Sequence, residues 1–208
     1  YLVEQKRKGR ICHLGLSTHA TLETLKRFFD AYGKDIEFCQ IQLNWLDWDY
    51  QDAKKKVEYL NSIGVPVWVM EPLRGGKLAK LDEKYEKKLA ELRPNETIPG
   101  WAFRYLQSFD QVTVTLSGMS DLEQLKQNIK TFETDEPLNE NEIKVLHKMA
   151  VEMTATVPCT ACKYCTEKCP MQLDIPTLIE LYNEHAFTGG GFIAPMFIES
   201  MPEEKRPS

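Results

Sequence analysis

The chain has 208 residues, of which 42% are hydrophobic and 27% are charged, so it can bury the core of one main domain with an appendage. A formal net charge of −5 argues against nucleic acid as the main partner. No apolar run approaches the ~20 residues that span a bilayer, and no signal peptide is visible, so we expect a cytoplasmic protein that does not bind membranes.

Four apolar segments predict β-strands, and helical patterns separate them. The segments cover residues 11–16, 36–43, 65–70 and 112–116. Cys12 and Cys39 lie in the first two segments, where we expect buried thiols that behave as small hydrophobic side chains. Ser120 with Glu123 has the spacing of a capping box and predicts the start of the helix after the fourth strand.

Strands that are apolar throughout, each followed by a helix, predict a parallel sheet covered on both faces. The open doubly wound sheet and the closed (β/α)8 barrel both have this pattern. No GxGxxG sequence follows the first strand, which removes the main support for a dinucleotide-binding doubly wound fold. A barrel needs eight strands and about 250 residues, and this chain supplies four strands. We therefore predict an α/β fold that is the second half, strands five to eight, of a TIM barrel.

The loops that follow the strands are the candidate site of a barrel enzyme, because barrel active sites lie at the C-terminal ends of strands. The last two loops would follow strands seven and eight, where barrels commonly bind phosphate. Gly75 and Gly76 allow a ligand to approach the backbone closely, and the helix that follows Ser120 has free N–H groups that suit an anion. An ordinary turn is the alternative interpretation of the two glycines. A half barrel also has two unpaired strand edges, which favours a homodimer.

The most specific pattern is a run of cysteines near the C-terminal end of the chain. Cys159, Cys162, Cys165 and Cys169 precede Pro170 with the C-x2-C-x2-C-x3-C-P spacing that binds a [4Fe–4S] cluster in bacterial-type ferredoxins. In two-cluster ferredoxins the fourth cysteine of such a run ligates the other cluster, so one or two clusters are both open. Zinc is a second interpretation, although zinc sites usually combine separated CxxC pairs or Cys with His. Disulfides are a third, and they need an oxidising compartment. We predict a small helical ferredoxin-like iron–sulfur segment.

The predicted organisation has three parts. Residues 1–135 form the half barrel, residues 136–156 form a linking amphipathic helix, and residues 157–208 form the iron–sulfur segment. Asn139 can cap the linking helix with support from Glu142.

Four sequence blocks in residues 1 to about 132 resemble the second half of the aldo/keto reductases, NADPH-dependent (β/α)8-barrel enzymes. The blocks are GLST, QIQLNW, VPVWVMEPLRGGKL and TLSGMSDLEQLKQNI. The tail PCTACKYCTEKCPMQLDIPTLIELYNE is similar to the subgroup with a C-terminal ferredoxin-like 4Fe–4S domain. The resemblance implies an oxidoreductase that uses NADP(H) or NAD(H) to interconvert a small-molecule carbonyl compound and an alcohol. Its cluster would be structural or would transfer electrons, in which case an external electron carrier is a further partner.

The resemblance also implies which residues hold the nicotinamide cofactor. Ser17, Thr18 and Gln40 fall where the family binds the nicotinamide carboxamide, and Met70 replaces the tyrosine that stacks on the ring in many members. The other cofactor residues would lie along the pyrophosphate (Leu73, Gly75 and Gly76) or around the adenosine and its 2′-phosphate (Gly118, Ser120, Gln124 and Asn128). The basic residue that often binds the 2′-phosphate has no clear equivalent, although Lys126 could approach it.

The catalytic Asp, Tyr, Lys and His of the family belong to the first half of the barrel, so we predict no catalytic residue in this chain. The alternative to an enzyme fragment is a non-enzymatic electron-transfer or interaction module whose cysteines hold a metal for folding. Binding of a nicotinamide cofactor by the protein discriminates between the two.

Overall fold

The computed structural model describes residues 1–154, 157, 164–188 and 198–199. The chain divides into two compact units, Tyr1–Met149 and Ala150–Ser208. This boundary falls within the segment 136–156 that the sequence assigns to the linking helix. No helix in the described part of the chain is long and apolar enough to cross a membrane.

The first unit contains a four-stranded sheet. Its strands are β1 (Gly15–Thr18), β2 (Phe38–Gln42), β3 (Val67–Met70) and β4 (Val112–Thr115). Neighbouring strands follow one another in chain order, and each pair is parallel. A doubly wound sheet instead reverses its strand order at a switch point. The predicted α/β fold with a parallel sheet is confirmed, and its strands lie in chain order, unlike those of a doubly wound sheet.

One helix precedes the sheet, and others connect the strands and follow the last strand. They are α1 (Leu2–Arg7), α2 (Leu22–Tyr32), α3 (Asp47–Tyr50), α4 (Ala53–Ser62), α5 (Glu83–Leu92), α6 (Ile98–Gln107), α7 (Leu122–Phe132) and α8 (Glu140–Met153), with a 3-10 turn at Gly33–Asp35. Thr97 begins α6 by accepting a hydrogen bond from the Gly100 N–H at 3.0 Å. Such side-chain caps satisfy N–H groups that have no partner within the helix.

The two faces of the sheet differ in burial. Cys39, Ile41 and Val69 on one face are at most 1% exposed. This face packs against the helices, since Cys39 lies close enough to Lys56 of α4 for the lysine charge to act on its thiol. Burial raises the pKa of the Cys39 thiol to about 12. Phe38 and other residues of the opposite face remain half-buried.

A stacked aromatic pair on the half-buried face explains a glycine in β1. The rings of Phe38 and Trp68 stack with centroids 3.7 Å apart. A Cβ atom at Gly15 would lie 2.2 Å from the Phe38 ring, so a side chain cannot be added there without moving that ring.

The predicted start of α8 is confirmed. The Asn139 side chain accepts from the Glu142 N–H at 3.0 Å, and Glu142 accepts in return from the Asn139 N–H at 2.8 Å. Glu142 also accepts two hydrogen bonds from the Arg93 guanidinium, at 2.7 and 2.8 Å. Because Arg93 ends α5, this ion pair attaches α8 to the body of the first unit.

Two expectations for the first strand are wrong. Pairing with β2 begins at Gly15, opposite Phe38, so the strand lies later in the chain than 11–16. Cys12 therefore precedes the sheet and is exposed rather than buried.

The second unit contains α9 (Tyr164–Glu167) and α10 (Ile175–Thr188) among its described residues. Asp174 accepts from the Thr177 N–H at 3.4 Å at the start of α10. The Asn183 side chain donates to the Val157 carbonyl at 2.9 Å and accepts from the Val157 N–H at 3.0 Å. These two bonds tie α10 to the chain two residues before Cys159.

Candidate functional site

Polar side chains of β1 and β2 meet near the C-terminal ends of the strands. The Gln40 amide nitrogen donates to the Ser17 hydroxyl at 3.2 Å and lies 3.6 Å from the sulfur of Met70 on β3. An amide and a hydroxyl side by side offer both donors and acceptors, which is what a carboxamide ligand requires. Thr18 differs from these two, because its hydroxyl accepts from the Ala20 N–H at 3.0 Å within its own loop.

A buried ionic network joins the loops after β2 and β3. Asp47 is 0% exposed, and the Arg74 Nε donates to its two carboxylate oxygens at 3.0 and 3.2 Å. Gln42 and Asn44 each donate to Asp47 Oδ2 at 2.7 Å. Asn44 also donates to the Glu71 carbonyl at 2.9 Å. The network therefore fixes one end of the loop that contains the two glycines.

The loop after β3 has an unusual backbone. Glu71, Arg74, Gly75 and Gly76 all have positive φ, of 57°, 48°, 61° and 87°. Such values are uncommon for Glu and Arg, whose side chains favour negative φ. The Glu71 carboxylate accepts from the Gly75 N–H, and Arg74 is held by Asp47, so side-chain bonds stabilise both residues in this conformation.

The loop after β4 leads into α7 through a cap that differs from the predicted one. Asp121 accepts from the Gln124 N–H at 2.8 Å, and the Gln124 side chain accepts from the Ser120 N–H at 2.8 Å. The pair Ser120 and Glu123 is therefore not the capping box, because the helix begins one residue later than that spacing assumes. Asn128, one turn further along α7, donates to the Ser117 hydroxyl at 3.2 Å.

A cavity of about 610 Å³ lies between these two loops. The predicted cofactor residues that line it come from the loop after β3 (Leu73, Gly75 and Gly76) and from the loop and helix after β4 (Gly118, Ser120, Gln124 and Asn128). Met70 also lines it and contacts Gln40, so the polar side chains of β1 and β2 adjoin the cavity rather than line it. The structure thus brings seven of the ten predicted residues around one space.

The sequence matches the aldo/keto reductase family over residues 1–150. The chain belongs to that family. A comparison with curated proteins finds no match.

Solved aldo-keto reductases share the fold of this family member. A thermostable aldo-keto reductase, Tm1743, in complex with the inhibitor epalrestat is 26% identical, with a TM-score of 0.59 over 71% of this chain and 52% of that chain. The holo form of AKR11C1 from Bacillus halodurans is 24% identical, with a TM-score of 0.57 over 70% and 52%. A Gox0644 variant in complex with NADPH is 22% identical, with a TM-score of 0.54 over 71% and 50%. The chain spans about half the length of each.

Sequence analysis of this aldo/keto reductase chain missed the network of Asp47 and Arg74. The two residues are 27 positions apart in different loops, and residue type alone does not show which charges pair. The available signal was an aspartate inside the apolar run LNWLDW, since a buried carboxylate requires a partner.

Lys126 lies on a different surface from the cofactor residues. It lines a second groove, of about 1120 Å³, together with Lys130 and Arg104. Gln127 lines both spaces and separates this groove from the smaller cavity.

Two of the four predicted cluster ligands can be placed. Cys165 is exposed in α9, and Cys169 is half-buried after it. Cys159 and Cys162 lie outside the described residues. Within the described ranges, no three His, Cys, Asp or Glu side chains are grouped closely enough to hold a metal ion.

Proposed function

We propose that the chain forms the nicotinamide-cofactor half of an aldo/keto reductase that also carries a [4Fe–4S] cluster. The cavity between the loops after β3 and β4 carries this proposal, because it gathers seven predicted cofactor residues. Gly76 and Gly118 border open space, since a Cβ atom at either position would meet nothing within 4 Å. A ligand can therefore contact the backbone there, and the fit favours a dinucleotide.

The extended dinucleotide would cross from the cavity toward β1. Its adenosine would lie against Gly118, Gln124 and Asn128, and its pyrophosphate along the loop that contains Gly76. The nicotinamide carboxamide would reach Ser17 and Gln40, which already form a hydrogen-bonded pair at 3.2 Å. Met70 adjoins the ring position and would offer a thioether instead of an aromatic face.

The reaction class is the interconversion of a carbonyl compound and an alcohol. A bound reduced nicotinamide supplies hydride to the carbonyl carbon, and a proton added to the oxygen completes the alcohol. The residues of this chain would bind and orient the cofactor. The proton donor of the family belongs to strands one to four of the barrel, which we propose cover the half-buried face that contains Phe38 and Trp68. The match to about half the length of solved relatives supports this arrangement.

The cysteine spacing supports a cluster in the second unit. Cys165 and Cys169 are at least partly accessible, so a cluster can reach both thiols. Hydride transfer moves two electrons and a cubane cluster passes one, so the cluster either has a structural role or serves an external one-electron carrier. Homodimer formation through the strand edges remains a prediction.

Cofactor binding is tested by filling the cavity at Gly118. Its backbone is not at positive φ, and its missing Cβ faces open space, so a side chain can be added without disturbing the fold. We expect Gly118→Leu to weaken binding of both NADH and NADPH by at least about tenfold, or 1.4 kcal/mol, in a fluorescence titration.

Gly118→Ala is the matched control, because it restricts the backbone equally but adds only a methyl group. It should bind nearly as the parent protein does. If the parent protein binds neither dinucleotide, the reductase proposal is wrong and the non-enzymatic module is favoured.

The cluster is tested separately by measuring iron, acid-labile sulfide and zinc per chain after anaerobic purification. About four iron and four sulfide are expected for a [4Fe–4S] site. Zinc without sulfide would instead indicate a structural metal site.

A further inference from the structure

The charge around the cofactor cavity is unusual for a site that would hold several phosphates. Glu71 is the only charged residue among the described residues that line this cavity. The rest of the lining consists of small and apolar residues, hydroxyls and the amides of Gln124, Gln127 and Asn128. A carboxylate repels an anionic ligand, and the amides add no charge that would offset it.

Asp121, at the start of α7, is a second carboxylate near the cavity. A helix N-terminus attracts anions through its free N–H groups and its dipole. Here Asp121 already accepts from the Gln124 N–H, and the Gln124 side chain accepts from the Ser120 N–H, both at 2.8 Å. These bonds occupy two of the N–H groups that a phosphate could use, and the Asp121 charge compensates the helix dipole.

The lysines of α7 face away from the cavity. Lys126 and Lys130 line the second groove, Gln124 and Asn128 line the cavity, and Gln127 lines both. Successive residues of a helix point in different directions, about 100° apart, so the 3.6-residue period accounts for this separation. The side of α7 that adenosine would contact therefore presents amides.

We propose that this cavity binds NADH more tightly than NADPH. The two cofactors differ by the phosphate on the adenosine ribose, which adds about two negative charges at neutral pH. NADH has a hydroxyl at that position, which can donate to the amide oxygens of α7 or to a carboxylate, as the ribose does in NAD-specific sites. This inference rests on the proposed function, because it assumes that the cavity holds a nicotinamide dinucleotide.

The experiment compares the two reduced cofactors on the full 208-residue chain. Dissociation constants for NADH and NADPH are measured by fluorescence titration at low and at physiological salt. We expect NADH to bind about tenfold more tightly at low salt. The difference should shrink as salt rises, because repulsion between exposed charges is screened.

Two nucleotides test whether the 2′-phosphate causes the difference in affinity between NADH and NADPH. Adenosine 5′-monophosphate and adenosine 2′,5′-bisphosphate are used as competitors against bound NADH. The monophosphate should compete better, because the bisphosphate carries the extra 2′-phosphate into the same lining. Stronger competition by the bisphosphate would overturn the inference.

A charge-adding variant and its control complete the test. Gln127 lines both the cavity and the second groove, and its side chain donates to Glu123 at 3.3 Å. Gln127→Arg is therefore combined with Glu123→Gln, so that the added cation has no carboxylate one turn away on α7. The double variant should tighten NADPH by about tenfold while changing NADH little. Lys126→Gln, one position away, should change the NADPH to NADH ratio by less than about twofold, because Lys126 lines the other groove. A selective loss of NADPH binding in Lys126→Gln would mean that Lys126 contacts the 2′-phosphate, which would overturn the inference.

The outcomes separate the inference from the proposed function. Equal binding of the two cofactors, or tighter binding of NADPH, overturns the inference and leaves the reductase proposal intact. Binding of neither cofactor by the parent protein overturns the reductase proposal itself.

Discussion

The two units of the chain differ in how much of their described structure is buried. Tyr1–Met149 has a core of fully buried apolar side chains and ion pairs that are almost completely removed from solvent, such as Asp47 with Arg74. Among the described residues of Ala150–Ser208, the buried ones are Ala150 and Pro176. Small units with little buried apolar surface commonly depend on a metal for their stability. From this difference we expect that packing holds the first unit, and we propose that ligation by the cysteines holds the second.

Removing the proposed cluster is the most direct test of this difference between the two units. We expect Cys165→Ser to lose most of the about four iron atoms that a cluster would supply per chain and to unfold the second unit, since metal binding and folding are coupled in such segments. The thermal transition of the first unit should stay where it is, as followed by circular dichroism. Cys12→Ser is the control, because Cys12 is exposed and precedes the sheet. A loss of both transitions would show that the units do not differ in this way.

The next largest effect is expected at Asp47 in the first unit. Asp47→Ala would leave the Arg74 charge buried without this carboxylate, which costs about 3–5 kcal/mol of unfolding free energy. Urea denaturation measures the loss. The double variant Asp47→Leu with Arg74→Met is the control. Both variants remove the carboxylate that accepts from Gln42 and Asn44, but only the single variant keeps the buried charge, so the double variant should lose less stability. Equal losses in the two variants would mean that packing volume, rather than the buried charge, determines stability here.

Replacing Glu142 should lower the free energy of unfolding by a smaller amount, and this loss should depend on pH. Hydrogen bonds from Arg93 lower the pKa of this carboxyl below its ordinary value. The stability it contributes is therefore present above the ordinary carboxyl pKa and is lost as the pH falls through the lowered one. Glu142→Gln should cost about 2 kcal/mol at neutral pH, and the gap to the parent protein should close in acid.

Unfolding by urea at several pH values between neutral and strongly acidic checks this prediction. Glu140→Gln is its control, since Glu140 is exposed and pairs with Lys144 at the surface at 3.5 Å. A gap that is constant with pH would exclude the ion pair as its cause.

The smallest expected effect concerns Asn183 in the second unit. Asn183→Ala removes both hydrogen bonds to Val157, at about 1 kcal/mol each. Because Val157 precedes the cysteine run, iron should be released to a chelator faster than from the parent protein. Glu180→Gln, at an exposed position of the same helix, should release iron at the parent rate. An unchanged rate in Asn183→Ala would show that ligation alone holds this segment.

Sequence reasoning reached the fold because it depended on repeated and local signals. The apolar segments 36–43, 65–70 and 112–116 contain β2, β3 and β4, and the Asn139 capping pair needs only residues three positions apart. The start of β1 was misplaced because the register with Phe38, and not the apolar character of the segment, decides where pairing begins.

The site was predictable only in part. The glycines and the polar residues of α7 could be placed through the family resemblance, and the structure gathers them around one cavity. The ionic network around Asp47 and the direction in which Lys126 points depend on tertiary contacts and helix phase. A sequence pattern identifies candidates for charge pairs, but the partner across another loop emerges only when the strands are aligned.

The burial of Cys39 has a practical consequence for thiol chemistry. With a pKa of about 12, its side chain stays a protonated thiol near neutral pH, and alkylating reagents attack the thiolate. Cys39 should therefore remain unmodified while the protein is folded, whereas the exposed Cys12 reacts, and Cys165 reacts when no cluster is bound. Mass spectrometry after mild alkylation can then report how many cysteines a bound cluster protects, with Cys39 as the internal indicator that the sheet is intact.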